Sequence, residues 1–362
     1  MTDALPPGAT IGILGGGQLG RMLSVAASRL GFRSHIYDPT PTPPAADVAH
    51  TLTTAAYDDA RALTAFAASV DVITFEFENI PTAALDLLEA LKPIRPNRTA
   101  LATSQDRLTE KAFLRGLGLQ TAPFAAVTTQ AELDLALSTI GTPSILKTTR
   151  LGYDGKGQIR LTSPADAAPA LTAMNGSPCV LEGLIAFTAE VSVIAARSLD
   201  GAVAAYDPGE NVHRGGILHT TTVPARLTPA QRSDAVLIAA RILTALDYVG
   251  VIGVELFVTP PTSTSTGLIV NEIAPRVHNS GHWTQNGCAV DQFEQHIRAI
   301  TGWPLGDGAR HTDIRMENLI GDDILRVPDL ARQRDTAIHL YGKPDARPGR
   351  KMGHVNHIQR KP

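Results

Sequence analysis

The stretches Val-Ile-Gly-Val-Glu-Leu-Phe-Val, residues 251–258, and Leu-Ile-Val-Asn-Glu-Ile, residues 268–273, decide the fold of this chain. Both are apolar runs of strand length, and a loop rich in Pro, Ser and Thr joins them, so they predict a β-hairpin. Each run holds one glutamate, Glu255 or Glu272, in a setting where carboxylates are seldom buried without a partner. A hairpin that pairs about the centre of the 260–267 loop places these two carboxylates opposite each other on one face.

Two facing carboxylates need something to offset their repulsion. Like charges ~4 Å apart repel by about 4 kcal/mol at an effective dielectric constant near 20. Magnesium commonly binds one or two carboxylates together with substrate phosphates. A proton shared by the pair, or a register that separates them, are the alternatives. We expect Glu255 and Glu272 to bind Mg²⁺.

The segment Ala-Pro-Arg-Val-His-Asn-Ser-Gly-His, residues 274–282, follows the second strand directly. Arg276 lies a few residues from the predicted metal pair, where a fixed guanidinium can hold an oxyanion during group transfer. His278 and His282 are four residues apart, which raises the alternative of zinc. However, Asn-Ser-Gly between them argues against a helix, and the sequence has no H-E-x-x-H motif.

The N-terminal motif Gly-Gly-Gly-Gln-Leu-Gly, residues 15–20, fits the G-x-G-x-x-G pattern of dinucleotide-binding proteins. A strand at 10–14 precedes it, a helix follows, and Asp38 ends the next strand, 33–37. With a further strand at 70–77, this βαβ alternation predicts a doubly wound parallel sheet. Glycines and a helix N-terminus favour any phosphate, so a phosphorylated substrate satisfies the motif as well as NAD does. A tight turn before a helix is the other alternative.

A second glycine-rich segment, Gly-Tyr-Asp-Gly-Lys-Gly, occupies residues 152–157 between predicted strands 144–147 and 158–161. Such a loop can fold its N–H groups over a polyphosphate, and Lys147 at the end of the first strand can reach the same phosphates. A long exposed hairpin with a solvated lysine is the alternative.

A strand at 179–182 comes next and ends at Glu182, with Glu190 eight residues further on. The exposed backbone of a hinge strand can bind the edge of an adenine, and a nearby carboxylate can accept hydrogen bonds from ribose hydroxyls. Each glutamate alone is more often a surface residue. Their order after the glycine-rich segment favours a nucleotide site.

The pattern of elements predicts an α/β and α+β chain of three domains. A helix is expected to begin near Thr103, with Asp106 as its capping-box partner, and to end at Gly116 and Gly118. The domains are expected at 1–117 (parallel sheet), 118–180 (a small α+β lobe) and 181–362 (the remainder).

Composition excludes several classes of function. The chain has 362 residues, 43% of them hydrophobic, and its net charge of -3 gives no basic face for nucleic acid. Its two cysteines, Cys179 and Cys288, lack metal-type spacing and are expected to be buried thiols. The longest apolar region, 236–258, contains charged residues and divides into a helix and a strand, so it is not a membrane span. No secretion signal is visible, and a cytoplasmic protein is expected.

Taken in order, these motifs resemble those of the ATP-grasp superfamily of carboxylate–amine ligases. The strings at 15–21, 152–157 and 271–284 are similar to those of the family that carboxylates 5-aminoimidazole ribonucleotide in purine biosynthesis. The similarity runs from Ile11 to about His354. It implies a three-domain ATP-grasp fold, ATP and Mg²⁺ as cofactors, and a ligase that forms carboxyphosphate from bicarbonate. The ribonucleotide amine then captures the carbon dioxide that carboxyphosphate delivers. A homodimer is also expected, because this family is usually dimeric.

The resemblance also implies roles for individual residues. It gives catalytic roles to Arg276 and Lys147, and magnesium to Glu255 and Glu272. ATP contacts are expected from Arg107, Lys147, Gly152, Tyr153, Asp154, Gly155, Lys156, Gly157, Gln158, Glu182, Gly183, Leu184, Ile185, Glu190, His213, Asn271 and Glu272. Ribonucleotide contacts are expected from Gln18, Leu19, Glu76, His278 and Asn279, and contacts to its 5′-phosphate from Lys343, Arg350 and Lys351. A solvated basic tail is the alternative for 343–351.

Three rival functions remain at this point. One is an ATP-grasp ligase that uses formate or another acyl donor. Another is an NAD-dependent oxidoreductase built on residues 15–38. The third is a nucleotide sensor without catalysis, which needs no paired carboxylates.

Overall fold

The structure is a computed structural model that describes residues 4–152 and 157–359. Tyr153, Asp154, Gly155 and Lys156 of the predicted phosphate loop lie outside the described residues. Three β-sheets organise the described chain.

The N-terminal sheet is parallel, with strand order β3-β2-β1-β4, which confirms the sequence prediction. The predicted strand 70–77 is shorter in the structure, because Glu76 leaves the sheet to bond the glycine-rich loop. The elements are β1 (Thr10–Leu14), α1 (Gln18–Arg29), β2 (Arg33–Asp38), β3 (Thr51–Thr54), α2 (Ala60–Ala68), β4 (Val72–Phe75) and α3 (Thr82–Glu89).

Two helices, α4 (Arg98–Ser104) and α5 (Arg107–Gly116), connect this sheet to the rest of the chain. The prediction of one helix beginning near Thr103 is therefore wrong. Asp106 is itself the N-cap of α5, and its Oδ1 accepts hydrogen bonds from the backbone N–H groups of Leu108 and Thr109, both at 3.0 Å. A capping carboxylate satisfies N–H groups that only a new helix start leaves free.

The second sheet is small and antiparallel, with strand order β5-β8-β6-β7. Its last strand runs to Gly183, so the predicted domain boundary at 180/181 cuts a strand whose hydrogen bonds belong to this sheet. The elements are β5 (Phe124–Val127), α6 (Gln130–Ile140), β6 (Ser144–Thr148), β7 (Gln158–Leu161), α7 (Ala167–Ala173) and β8 (Cys179–Gly183).

The third sheet has nine strands and is antiparallel throughout, in the order β14-β13-β9-β11-β12-β15-β17-β16, with β10 paired to β9. Its strands are β9 (Ala189–Arg197), β10 (Val203–Ala205), β11 (Gly209–Arg214), β12 (Ile217–Val223), β13 (Gly250–Val258), β14 (Leu268–Ala274), β15 (Asp313–Ile320), β16 (Thr336–Leu340) and β17 (Lys351–Gln359). Its helices are α8 (Pro229–Ala245), α9 (Thr284–Gly287), α10 (Gln292–Thr301) and α11 (Val327–Leu330). The apolar region 236–258 thus divides into α8 and β13 as predicted, and no helix in residues 4–152 and 157–359 has the length and apolarity needed to cross a membrane.

The parallel sheet packs against the large sheet through helix α10, which fixes the two sides of the cleft between them. Their apolar side chains share one core, and His296 of α10 bridges the two sheets. The His296 Nδ1 atom accepts a hydrogen bond from the backbone N–H of Val251 at 3.1 Å, and Nε2 lies 2.8 Å from the Thr74 Oγ1 atom. Burial lowers the pKa of His296 to about 3, so this bridging ring is neutral at neutral pH.

Candidate active site

One cleft of ≈ 690 Å³ is lined by side chains from the regions of all three sheets. It brings together most of the residues predicted from the sequence, namely Gln18, Leu19, Glu76, Arg107, Lys147, Gly152, Gln158, Glu182, Gly183, Leu184, Ile185, Glu190, His213, Glu255, Asn271, Glu272, Arg276, His278, Asn279 and Lys351. Gly157, Lys343 and Arg350 are not among the residues that line it. Residues predicted from separate parts of the sequence therefore line one cleft.

Glu255 of β13 and Glu272 of β14 are direct partners across the hairpin, as the sequence predicts. That prediction assumed a regular pairing register along the whole hairpin, and this assumption is wrong. On the loop side of the glutamates, Leu256 pairs with Val270. A regular continuation of that pairing would put Glu255 opposite Asn271. Asn271 is instead an extra residue in a β-bulge, which restores the carboxylate pair.

The two carboxylates differ in their surroundings. Burial, together with the charge of Glu272, raises the pKa of Glu255 to about 7. Burial would also raise the pKa of Glu272, but the charges of Arg107 and Lys147 outweigh it and lower that pKa. The Arg107 Nη1 atom lies 3.3 Å from the Glu272 Oε2 atom, whereas the His278 Nε2 atom lies 3.6 Å from the Glu255 Oε1 atom. Nearby cations therefore offset the negative charge of Glu272, whereas the negative charge of Glu255 is poorly offset.

Glu182 holds two lysines on the small-sheet side of the cleft. The Lys147 Nζ atom lies 2.9 Å from the Glu182 Oε2 atom, and the Lys111 Nζ atom lies 3.3 Å from the Oε1 atom. Although burial alone would raise the pKa of Glu182, these lysines lower it. The side chain of Glu182 therefore binds the two lysines. The sequence analysis missed Lys111, although it lies one helical turn after Arg107 on the same face of α5.

Glu190 and His213 lie together in the lining of the cleft. The His213 Nδ1 atom is 3.0 Å from the Glu190 Oε2 atom. Burial would lower the pKa of His213, but the hydrogen bond and charge of Glu190 outweigh it and raise that pKa. Phe187 and Phe257, which the sequence analysis also missed, stack with their ring centroids 4.8 Å apart and line the same cleft. A carboxylate beside flat aromatic rings suits a nucleoside.

The glycine-rich loop before α1 is filled by the protein's own carboxylates. The Glu76 carboxylate accepts hydrogen bonds from the N–H groups of Gly17 (2.5 Å), Leu19 (3.0 Å) and Gly20 (2.9 Å), and Asp38 accepts one from Gly16 at 2.7 Å. These are the donors that a dinucleotide phosphate would need. The fingerprint therefore marks an internal carboxylate site, and the interpretation of these N–H groups as a phosphate site is wrong.

Arg276 is held by a residue that the sequence analysis missed. Its Nη2 atom lies 2.7 Å from the Glu78 Oε1 atom, and its Nη1 atom donates a hydrogen bond to the Val277 carbonyl oxygen at 3.1 Å. Glu78 follows Glu76 by two residues after a buried strand, and this spacing was the available signal for a second inward-facing carboxylate.

The two histidines that suggested zinc have different partners. The His278 ring has Nδ1 2.8 Å from the Ser280 Oγ atom and Nε2 toward Glu255, and burial lowers its pKa well below the usual value. His282 is fully buried, with Nδ1 2.9 Å from the Gln292 amide nitrogen. In the parts of the chain that the structure describes, no three side chains of His, Cys, Asp or Glu form a metal-binding group.

Asn279 and Lys351 complete the lining near Arg276. The Asn279 and Asn318 side-chain amides bond each other reciprocally, at 2.9 and 2.8 Å. The Lys343 Nζ atom donates to the Lys351 carbonyl oxygen at 2.8 Å, and Arg350 donates to the Asp345 carbonyl oxygen at 2.9 Å. Of the three predicted 5′-phosphate residues, Lys351 alone lines the cleft.

Comparison with protein families divides the chain into three matched segments. The ribonucleotide synthetase preATP-grasp domain matches residues 8–105, and the ATP-grasp domain matches residues 112–293. The phosphoribosylaminoimidazole carboxylase C-terminal domain matches residues 315–362.

Similar proteins cover almost the whole chain. It is 52% identical over 358 residues to the N5-carboxyaminoimidazole ribonucleotide synthase of Brucella melitensis, with 98% of each chain covered. It is 39% identical over 356 residues to the synthase of Bacillus subtilis, covering 98% of this chain and 92% of that relative. Among solved structures, an ADP complex of N5-carboxyaminoimidazole ribonucleotide synthetase has a TM-score of 0.94 and 41% identity, covering 99% of this chain and 94% of the other. The synthase of Aspergillus clavatus with ADP and 5-aminoimidazole ribonucleotide has a TM-score of 0.90 and 32% identity, with 98% and 94% covered.

Proposed function

This chain belongs to the N5-carboxyaminoimidazole ribonucleotide synthase family of ATP-grasp enzymes, and we propose that the cleft described above is where it carries out the family's reaction. Its function is the ATP-dependent carboxylation of 5-aminoimidazole ribonucleotide in purine biosynthesis. The observation that supports this placement is the pairing of Glu255 with Glu272 beside Arg107 and Lys147.

The reaction has two group transfers. A bicarbonate oxygen attacks the γ-phosphorus of ATP, the bond to the bridging oxygen of ADP breaks, and carboxyphosphate forms. The carboxyl carbon then passes to the amine of the ribonucleotide, its bond to the phosphate oxygen breaks, and phosphate leaves. The nitrogen loses one proton, and the released phosphate is the proposed acceptor. Both steps build negative charge on oxygen, which fixed cations stabilise.

Glu255 and Glu272 are proposed to hold Mg²⁺. The fit rests on their chemistry, because the two carboxylates face each other across the hairpin, and burial together with the charge of Glu272 raises the pKa of Glu255 to about 7. Two carboxylates with phosphate oxygens and water are ligands that Mg²⁺ prefers. When bound, the ion neutralises charge on the transferring phosphoryl group.

The nucleotide is proposed to lie between the small and large sheets. Lys147 and Arg107 are close enough to the paired carboxylates to bind the phosphates of a nucleotide whose metal those carboxylates hold. The backbone of 182–185 is proposed to contact the adenine, with Glu190 and His213 at the ribose. Residues 152–158 are proposed to contact the phosphates, as the resemblance implies.

The ribonucleotide is proposed to lie between the parallel sheet and the large sheet. Gln18, Leu19 and Glu76 come from one side of the cleft, and His278 and Asn279 come from the other. The 5′-phosphate is proposed to bind Lys351, with Lys343 and Arg350 on the same C-terminal segment. Arg276, between this side and the metal pair, is proposed to hold the carboxyphosphate oxyanion.

We further propose that the chain works as a homodimer of three-domain subunits. The three separate sheets support domains at about 1–117, 118–183 and 184–362, where the second boundary is moved from 180 to keep β8 whole. Each substrate site then lies between domains rather than within one.

Two measurements test this function. In buffer depleted of carbon dioxide, ATP turnover with 5-aminoimidazole ribonucleotide should fall to background, because bicarbonate is the acceptor of the phosphoryl group. Unchanged turnover would favour formate or another acyl donor. Glu272→Gln should lower turnover by a factor on the order of 10²–10³, because it removes a proposed metal ligand. A fully active Glu272→Gln enzyme would refute the metal assignment.

A further inference from the structure

The guanidinium of Arg276 is fixed in place by contacts on two sides. Glu78 contributes a charged contact at 2.7 Å, and the Val277 carbonyl oxygen accepts a second bond. The side chains of Arg276 and Glu78 are only 18% and 28% exposed, so water competes poorly for this contact. The Nε atom of Arg276 is buried without a hydrogen-bond partner among the described residues.

The segment that carries Glu78 is itself fixed by Gln105, a buried residue between α4 and α5. The Gln105 Nε2 atom donates hydrogen bonds to the carbonyl oxygens of Glu78 (2.6 Å) and Ile80 (2.8 Å). Its Oε1 atom accepts a hydrogen bond from the Arg150 Nη2 atom at 2.9 Å. Arg150 lies just before the second glycine-rich segment, so these polar contacts lead from the nucleotide side of the cleft to Glu78.

We propose that Glu78 is a positioning residue that orients Arg276 toward the carboxyphosphate oxyanion, and that Gln105 and Arg150 tie this orientation to the nucleotide side of the cleft. The inference rests on the proposed role of Arg276. An arginine side chain loses rotamer freedom when it is ordered, and a fixed partner orders it before the anion arrives.

Loss of this orientation has a specific chemical consequence. Carboxyphosphate that is not held against the amine reacts with water, which breaks the bond between carbon and the phosphate oxygen and regenerates bicarbonate and phosphate. ATP is then converted to ADP without carboxylated product. The ratio of ADP to product therefore reports on Arg276 in a way that a general loss of folded enzyme does not.

The test is Glu78→Gln, assayed for ADP and carboxylated ribonucleotide in the same reaction. We expect product formation to fall about 10-fold and ADP formed per product to rise severalfold, while the KM for ATP changes by less than about twofold. A ratio equal to that of the wild type would overturn the proposal.

Arg276→Met and the double variant complete a mutant cycle. If Glu78 acts through Arg276, the double variant should match Arg276→Met alone. If Glu78→Gln changes the ratio by the same factor in both backgrounds, the two residues act independently and the inference is wrong. If Arg276→Met itself keeps one ADP per product, the proposed role of Arg276 fails first, and this inference fails with it.

Glu317→Gln is the matched control, because Glu317 lies 2.7 Å from Arg326 and does not line the cleft. It should lower stability and leave the ratio unchanged. Should Glu78→Gln fail to fold, Gln105→Met carries the test, since it keeps both charged residues. A smaller rise in ADP per product is then expected, and a wild-type ratio would overturn the proposal.

Discussion

Replacing Glu255 by glutamine should make the ligand-free protein more stable above neutral pH, although it removes a proposed metal ligand. Burial and the charge of Glu272 raise the pKa of Glu255 from 4.5 to about 7. One pKa unit corresponds to about 1.4 kcal/mol, so ionising this carboxyl in the folded state costs about 3 kcal/mol. Glutamine has similar size and carries no charge to bury.

The sign of the pH dependence follows from proton binding. Below pH 4.5 the Glu255 carboxyl is protonated in both the folded and unfolded chain. Between pH 4.5 and about 7 the folded chain binds more protons, so the free energy of unfolding falls as pH rises. Above pH 7 the full cost persists. The gain from Glu255→Gln should therefore be near zero at pH 4.5 and about 3 kcal/mol at pH 8.

Urea unfolding at pH 5 and pH 8, with EDTA present, measures this difference. Glu272→Gln is the control, because Arg107 and Lys147 lower the pKa of Glu272, so its ionised form stabilises the fold. That variant should be less stable than the wild type at pH 8. The reasoning is refuted if Glu255→Gln changes the free energy of unfolding equally at both pH values, or if both variants shift it in the same direction.

Three further predictions concern the parallel sheet and its contacts. Gly17→Ala would place a Cβ atom in steric overlap with the Glu76 Oε1 atom, so it should cost about 1–3 kcal/mol in urea unfolding and raise the KM for the ribonucleotide, whereas Gly116→Ala, with no atom within 4 Å, should be neutral. The wild type should lose stability as pH falls from 6.5 toward 3, because the folded pKa of His296 is about 3; His296→Gln should flatten this acid limb in pH-dependent urea unfolding. Titration with NADH should leave its fluorescence unchanged, because Glu76 and Asp38 occupy the loop donors; tight binding would contradict this.

Local patterns were sufficient to predict much of the fold. The βαβ alternation before residue 78 predicts a parallel sheet, and the apolar runs in β13 and β14 predict a hairpin with facing carboxylates. Both signals lie within short windows, where periodicity and turn composition determine structure. The order of motifs along the chain then identified the family and most of the cleft lining.

Contacts between distant segments were not predictable in this way. The glycine-rich loop reads as a phosphate site from its own sequence, and only the folded chain brings Glu76 onto its N–H groups. The contact of Glu78 with Arg276 joins two segments that are far apart in the sequence. Lys111 of helix α5 likewise contacts Glu182 of the small sheet, which is distant in the sequence. Tertiary packing decides such pairs, and no local propensity encodes them.

The extra residue at Asn271 separates the tip of the β13–β14 hairpin from the end that carries Glu255 and Glu272. The bulge shifts the pairing register of the two strands by one residue. The register near the loop therefore does not determine which residues pair at the other end of the hairpin, where Glu255 and Glu272 lie. Shortening or lengthening the 259–267 connection should therefore be tolerated far better than deleting the single residue 271. A protein engineer who grafts this hairpin into another scaffold can vary the connection freely but must carry the bulge intact.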